Sequence, residues 1–166
     1  MRRILILGGT AEARRLAQML APRADLAIML SLAGRTASPL AQPVATRIGG
    51  FGGMQGLADY IRAERIEAVI DATHPYAAII SANAARAAER TGVPILALHR
   101  AAWTPVAGDR WIDVGDTQAA VAAIGSAPRR VFITLGRKDL SAFVERPQHH
   151  YVVRSVDPVE IGRAHV

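Results

Sequence analysis

The feature that most constrains this chain is a rhythm: short apolar runs that stop at glycine or a polar turn, each followed by residues at helical spacing. Arg3 to Leu7 (RILIL) is rich in β-branched residues and halts at Gly8-Gly9, as a parallel strand buried on both faces does. Ala13, Leu16, Ala17 and Leu20 then recur at i, i+3, i+4 and i+7, so a helix follows, with Thr10 as its cap. Strand-like runs return at Leu26 to Leu30, Thr46 to Ile48, Ala68 to Ile70 and Pro94 to Leu98. Helical runs fall at about Met54 to Ala63 and Ala77 to Arg90. This alternation predicts an α/β fold, a Rossmann-like open parallel sheet with helices on both faces.

The stretch Arg100 to Pro105 breaks the rhythm and reads as a connector into a second, partial α/β unit. There the pattern predicts a strand at Trp111 to Val114, a helix at Asp116 to Ile124, and a strand at Arg130 to Thr134. A short helix near Asp139 to Val144 and a strand at Tyr151 to Ser155 complete it. Three strands and two helices cover both faces of a sheet poorly, so a C-terminal truncation is expected. The last seven residues, EIGRAHV, are what GAG ATC GGA AGA GCA CAC GTC encodes, a string that looks like a sequencing adapter. The expected division is therefore a dinucleotide-binding domain over 1–101, a partial second domain over 102–159 and a non-native tail over 160–166.

Composition excludes several classes. No cysteine is present, so disulfides, thiolate catalysis and cysteine-held metals are out. No apolar run approaches the roughly 18 residues that span a bilayer, and the N-terminal run breaks at Gly8, too early for a signal peptide; a cytoplasmic protein without membrane contact is expected. The net charge of +6 comes from nineteen arginines and one lysine with no basic run longer than two. Nucleic-acid binders usually cluster such charge, so a solvated surface or the anchoring of a polyanionic small molecule fits better. His149-His150 point differently on a strand and have no third ligand near, and no G-x-S-x-G elbow occurs; neither a metal site nor a serine hydrolase is expected.

In an open α/β sheet, ligands bind beyond the carboxyl ends of the strands. Four unusual segments fall at such ends. In Gly8-Gly9-Thr10-Ala11-Glu12 the glycines are adjacent, and Ala13 stands where G-x-G-x-x-G has its third glycine. The turn reads either as a plain tight turn or as amides of Gly9 and Thr10 that hold a pyrophosphate. Glu12 suits the helix dipole. Ser31 to Arg35 offers no carboxylate to a ribose but an arginine, which fits a 2′-phosphate and hence NADPH; a solvent-facing Arg35 is the alternative. Gly49-Gly50-Phe51-Gly52-Gly53 reads as backbone approaching a flat or phosphorylated ligand, or as a flexible linker, with Phe51 in the core or stacked on a ring. In Asp71 to Tyr76, Asp71 and Thr73 are cap candidates and Pro75 suits a first helical turn. His74 is left without structural work, at a helix start whose positive end favours neutral imidazole.

Taken in order, LILGGTAEARRLA, SLAGRTA, RIGGFGGMQGLADYI, VIDATHPYAAIISANAARAA, TGVPILALHR and FITLGRKDL resemble the precorrin-6A reductase family of cobalamin biosynthesis, from about Arg3 to Asp157. The resemblance implies a two-domain Rossmann-like reductase that uses NADPH to reduce one double bond of precorrin-6A, a carboxylate-rich tetrapyrrole. It carries cofactor contacts onto Gly8, Gly9, Thr10, Ser31, Arg35, Gly50, Gly52, Thr73, His74 and Pro75. His74 and Tyr76 become candidates to orient the nicotinamide or relay a proton. Arg137, Lys138 and Arg154, with His99 and Arg100, become candidates to pair with substrate carboxylates. A cleft between domains is the expected reaction site, in a monomer or weak homo-oligomer. A catalytically silent NADP-binding module and a cobalt-precorrin-6A reductase using NADH are the competing expectations.

Overall fold

The computed structural model describes residues 1–34, 41–98, 100–101 and 103–155, with Arg137 and Lys138 described by their backbone alone. Arg35, His99 and the proposed tail 160–166 lie outside the described residues. The chain divides into two compact units, Met1–Ala102 and Trp103–Val166.

The first unit is a five-stranded parallel sheet. Its elements run β1 (Arg2–Leu7), α1 (Ala11–Leu20), β2 (Leu26–Leu32), β3 (Ala45–Ile48), α2 (Gly53–Ala63), β4 (Ala68–Asp71), α3 (Ala78–Thr91) and β5 (Ile95–Ala97). The strand order is β3-β2-β1-β4-β5. Chain direction across the sheet reverses at β1, which pairs with β2 on one side and β4 on the other. This is the doubly wound arrangement that the rhythm predicts, and its switch point lies between β1 and β4.

Side chains alternate along a strand, and β1 shows what that does. Leu5 and Leu7 enter one core with Leu57, Ile61, Val69, Ala84 and Ala87, under α2 and α3. Ile4 and Ile6 enter the other with Ala13, Ala17, Ile28 and Leu30, under α1. A strand buried on both faces has no polar positions to show, which is why RILIL reads as a continuous apolar run. Each fully buried leucine or isoleucine contributes about 1.5 to 3 kcal/mol. The small residues on α1 and α3 let helix backbones lie close to the sheet, and the C-cap Gly92 (φ 69°) ends α3 in the left-handed conformation glycine favours.

The second unit contains α4 (Thr117–Ile124), β6 (Arg130–Ile133), a 3₁₀ helix (Arg137–Glu145) and β7 (His150–Val153), with β6 and β7 paired in parallel. Val121, Ile133 and Phe143 form its small core. Asp116 caps α4, its carboxylate accepting from the Ala119 amide at 2.8 Å. One expectation fails here: residues 111–114 are exposed and form no strand. An apolar run becomes a strand only when another strand takes its hydrogen bonds, and none does so among the described residues; Ile112 and Val114 instead line a groove with Ile124 and Phe132. His149 is buried and satisfied. Its Nδ1 accepts from the Arg129 amide (3.2 Å) and its Nε2 faces the Gly125 carbonyl (3.1 Å), so its imidazole ties the β6 and β7 ends together.

Candidate functional site

All four unusual turns of the first unit emerge at the carboxyl edge of the parallel sheet. Gly8 to Thr10 follow β1, Ser31 is the penultimate residue of β2, Gly49 to Gly52 follow β3, and Asp71 to Tyr76 begin at the end of β4. Hydrogen bonds extend the ladders past the strand ends and hold these turns side by side. The Gly8 amide donates to Ser31 O (2.9 Å), Ala72 N to Leu7 O (3.0 Å), Gly49 N to Leu32 O (2.9 Å) and Leu98 N to Asp71 O (2.8 Å).

Thr10 is the hub of the first turn. Its hydroxyl oxygen accepts from the Ala13 amide (3.1 Å), capping α1 as the sequence predicts, while the same hydroxyl donates to the Ala72 carbonyl (2.7 Å). One side chain thus joins the start of α1 to the end of β4 across the switch point. The Gly8 amide is engaged in the sheet, and a Cβ on Gly8 would sit 2.7 Å from Leu30 Cδ1 and 3.3 Å from the Ala13 Cβ; its glycine serves close packing. Gly9 adopts φ 113° with open space where a Cβ would be. The amides of Gly9, Thr10 and Ala11 meet no protein acceptor among the described residues, and they lie at the positive end of α1, the arrangement that takes an anion.

Glu12, in the first turn of α1, accepts from Arg100 Nε (2.9 Å) and Nη2 (2.6 Å). Its own backbone N–H, then the Arg100 guanidinium, hold its carboxyl below the usual carboxylate value, with the charge of nearby His74 adding a smaller pull. Arg100 is therefore bound to a carboxylate of its own unit, which occupies the group assigned above to substrate.

The glycine run after β3 resolves into distinct duties. Gly49, Gly52 and Gly53 have φ of 115°, 76° and 92°, so the turn into α2 needs them for conformation, with Gly52 at the helix N-cap. Gly50 has neither a left-handed φ nor a neighbour within 4 Å of an added Cβ, so the fold supplies no reason for it; open space above it is what ligand approach requires. Gly56 carries a constraint the sequence did not disclose: its Cβ would lie 1.7 Å from Phe51 O. Phe51 packs on the core and meets Tyr60 edge to face, with centroids 5.2 Å apart.

Nothing in the sequence marked Arg47, two residues before the glycines. From β3 its Nη1 donates to Ser31 Oγ (3.0 Å) and Gly49 O (2.8 Å), and its Nη2 to Gly50 O (3.0 Å). The guanidinium carbon stands 3.9 Å over the Phe51 ring. The sequence shows only an arginine inside a short strand-like run; its pairing with Ser31 comes from the register of β2 and β3.

The turn after β4 departs from expectation. The helix starts at Ala78 with Ala77 as an N-cap that offers no side chain, so Thr73 does not cap it, Pro75 precedes its first turn, and His74 is not at its N-terminus. Instead buried Asp71 accepts from Thr73 N (3.1 Å) and Thr73 Oγ1 (2.6 Å), and that hydroxyl also meets Ser81 Oγ (3.2 Å). A buried carboxylate needs such donors, and the requirement outweighs a local capping preference. Exposed His74 stacks on Tyr76 with centroids 5.1 Å apart and accepts the Tyr76 amide at Nδ1 (3.3 Å). An imidazole that accepts at Nδ1 offers Nε2–H as its donor when neutral.

The sheet edge thus brings together Gly9, Thr10, Ser31, Gly50, Thr73 and the His74–Tyr76 pair. Arg154 is exposed in the second unit, where its amide donates to Ile133 O (2.9 Å), and the backbone of Arg137 and Lys138 opens the 3₁₀ helix of that unit. A family model described as precorrin-6x reductase CbiJ/CobK matches residues 3–165. The chain belongs to that family. Among similar reductases, it is 57% identical over 95% of its length to the precorrin-6A reductase of Sinorhizobium sp, covering 60% of that protein. It is 56% identical over 96% of its length to the precorrin-6A reductase of Rhodobacter capsulatus, covering 63%. A solved structure titled CobK precorrin-6A reductase matches with TM-score 0.91 and 55% identity, over 96% of this chain and 63% of that one. The chain spans about three fifths of the length of these reductases. Among the described residues no helix is long and apolar enough to cross a membrane.

Proposed function

We propose that this chain carries the NADPH-binding part of a precorrin-6A reductase, which adds hydride and a proton across one double bond of the macrocycle to give precorrin-6B in cobalamin biosynthesis. The observation that supports it best is the convergence of unpartnered amides at Gly9 to Ala11, Ser31 and the open face of Gly50 on one sheet edge, in a chain of this family. Those features suit a dinucleotide: amides at a helix start for the pyrophosphate, a glycine face for a flat ring or phosphate. Arg35, following β2, is the proposed partner of the 2′-phosphate.

Bound NADPH would supply the hydride. The protein's share is position and charge. Thr10 fixes the amide turn by its two hydrogen bonds, and Asp71 with Thr73 fixes the turn that presents His74. The His74 Nε2–H, backed by Tyr76, is the proposed donor that orients the nicotinamide carboxamide, or, with the ring protonated, passes a proton to the carbon beside the one that receives hydride and returns to neutral imidazole. Arg137, Lys138 and Arg154 are the proposed partners of the macrocycle's carboxylates.

A protein of its relatives' full length carrying this sequence should oxidise NADPH when precorrin-6A is added, with a simultaneous change in the macrocycle's absorption. Tight NADPH binding with no consumption would leave a silent nucleotide-binding module and remove the reductase reading. Preference for the cobalt-bearing macrocycle with NADH would select the other competing activity.

A further inference from the structure

Arg47 has a geometry unlike that of a ligand arm. Three of the five N–H groups of its guanidinium are committed to Ser31 Oγ, Gly49 O and Gly50 O, and one face is covered by Phe51, with Tyr60 5.1 Å away. Among the described residues no carboxylate pairs with it, so its charge is spent on two backbone carbonyls, a hydroxyl and two aromatic faces. Those carbonyls are the ones that matter. In a trans peptide the N–H of a residue points opposite to the C=O of the one before. Drawing Gly49 O and Gly50 O toward the guanidinium therefore turns the amides of Gly50 and Phe51 the other way, and neither amide has a protein acceptor among the described residues.

We infer that Arg47 is the positioning residue of the nucleotide site: it orders the glycine loop after β3 so that the Gly50 and Phe51 amides form a fixed donor pair for the adenosine end of a dinucleotide, while it holds Ser31 at the end of β2. The inference rests on the dinucleotide reading above. The donor pair serves any dinucleotide, because the guanidinium acts through the loop and not on the 2′-phosphate. Lysine cannot replace it, since three acceptors spread over β2 and the loop after β3 need a planar fork.

The test uses this chain, titrated with NADPH and with NADH, each followed by nicotinamide fluorescence, in the wild type, Arg47→Met and Arg47→Lys. Methionine keeps apolar contact with Phe51 and removes the fork. Both variants should raise Kd for both cofactors by the same factor, at least about 10-fold, leaving the NADPH/NADH ratio unchanged. Backbone NMR order parameters at Gly50 and Phe51 should fall while hydrogen-exchange protection of the Ile6 amide, deep in β1, holds. Unchanged affinity in Arg47→Met would overturn the inference. So would a loss confined to NADPH, which would make Arg47 a direct phosphate contact, or a matching loss of Ile6 protection, which would make it a strut of the whole fold. A wild-type chain that binds neither cofactor would overturn the dinucleotide reading itself, and the inference with it.

Discussion

Thr10→Val replaces a hydroxyl by a methyl of nearly the same shape and so isolates what that hydroxyl does. Two hydrogen bonds disappear, the cap to the Ala13 amide and the bond to the Ala72 carbonyl. Loss of a helix cap costs about 1 kcal/mol. Ala72 is buried, and among the described residues Thr10 is the donor its carbonyl meets, so a stranded acceptor adds about 1 to 2 kcal/mol. The sum is about 2 to 3 kcal/mol, or roughly a 30- to 150-fold fall in the protection of amides that exchange by opening of the first unit. Hydrogen exchange at Ile6 and Leu7, read by NMR, reports on that unit without interference from the second. Thr10→Ser keeps both bonds and should lie within about 0.5 kcal/mol of wild type. Protection in Thr10→Val equal to wild type would refute the claim that this hydroxyl ties α1 to β4. Any loss in Thr10→Ser measures the packing of the methyl, which Thr10→Val retains.

Three further outcomes are expected. Glu12 has a carboxyl held below its ordinary value of 4.5, so whatever it adds to stability is complete above that pH and fades as pH falls through the lower folded value. Arg100→Met should move the NMR titration midpoint of Glu12 up, yet leave it below 4.5, because its backbone hydrogen bond remains; an unmoved midpoint would refute the pairing. Gly50→Ala should leave the melting of the first unit within about 1 kcal/mol of wild type while weakening NADPH, whereas Gly56→Ala should cost at least about 1 to 3 kcal/mol because Phe51 O must move. Equal stability in those two variants would contradict the geometry. Arg35→Ala should weaken NADPH by roughly 1.5 to 3 kcal/mol and leave NADH nearly untouched, measured by titration; equal losses would take Arg35 away from the 2′-phosphate.

Within the first unit the sequence alone determined the strands, their alternation with helices in a parallel sheet and the turns at which they end. A strand buried on both faces, β1 above all, leaves its mark as an unbroken apolar run, and helices over the sheet must repeat at 3.6, so both patterns survive without knowledge of neighbours. The Thr10 cap was legible for the same reason: it is a contact over three residues. Contacts across the chain were not legible. Arg47 reaching Ser31, Arg100 reaching Glu12, and Thr10 reaching Ala72 join residues 16, 88 and 62 positions apart, and only the strand order β3-β2-β1-β4-β5 makes them neighbours. The turn after β4 shows the limit most plainly. Locally, Thr73 and Pro75 read as the start of a helix; tertiary structure buried Asp71, the buried carboxylate claimed the Thr73 hydroxyl, and α3 began three residues beyond Pro75. Local preference is worth about 1 kcal/mol, an unsatisfied buried charge considerably more, and the larger cost decided where His74 stands.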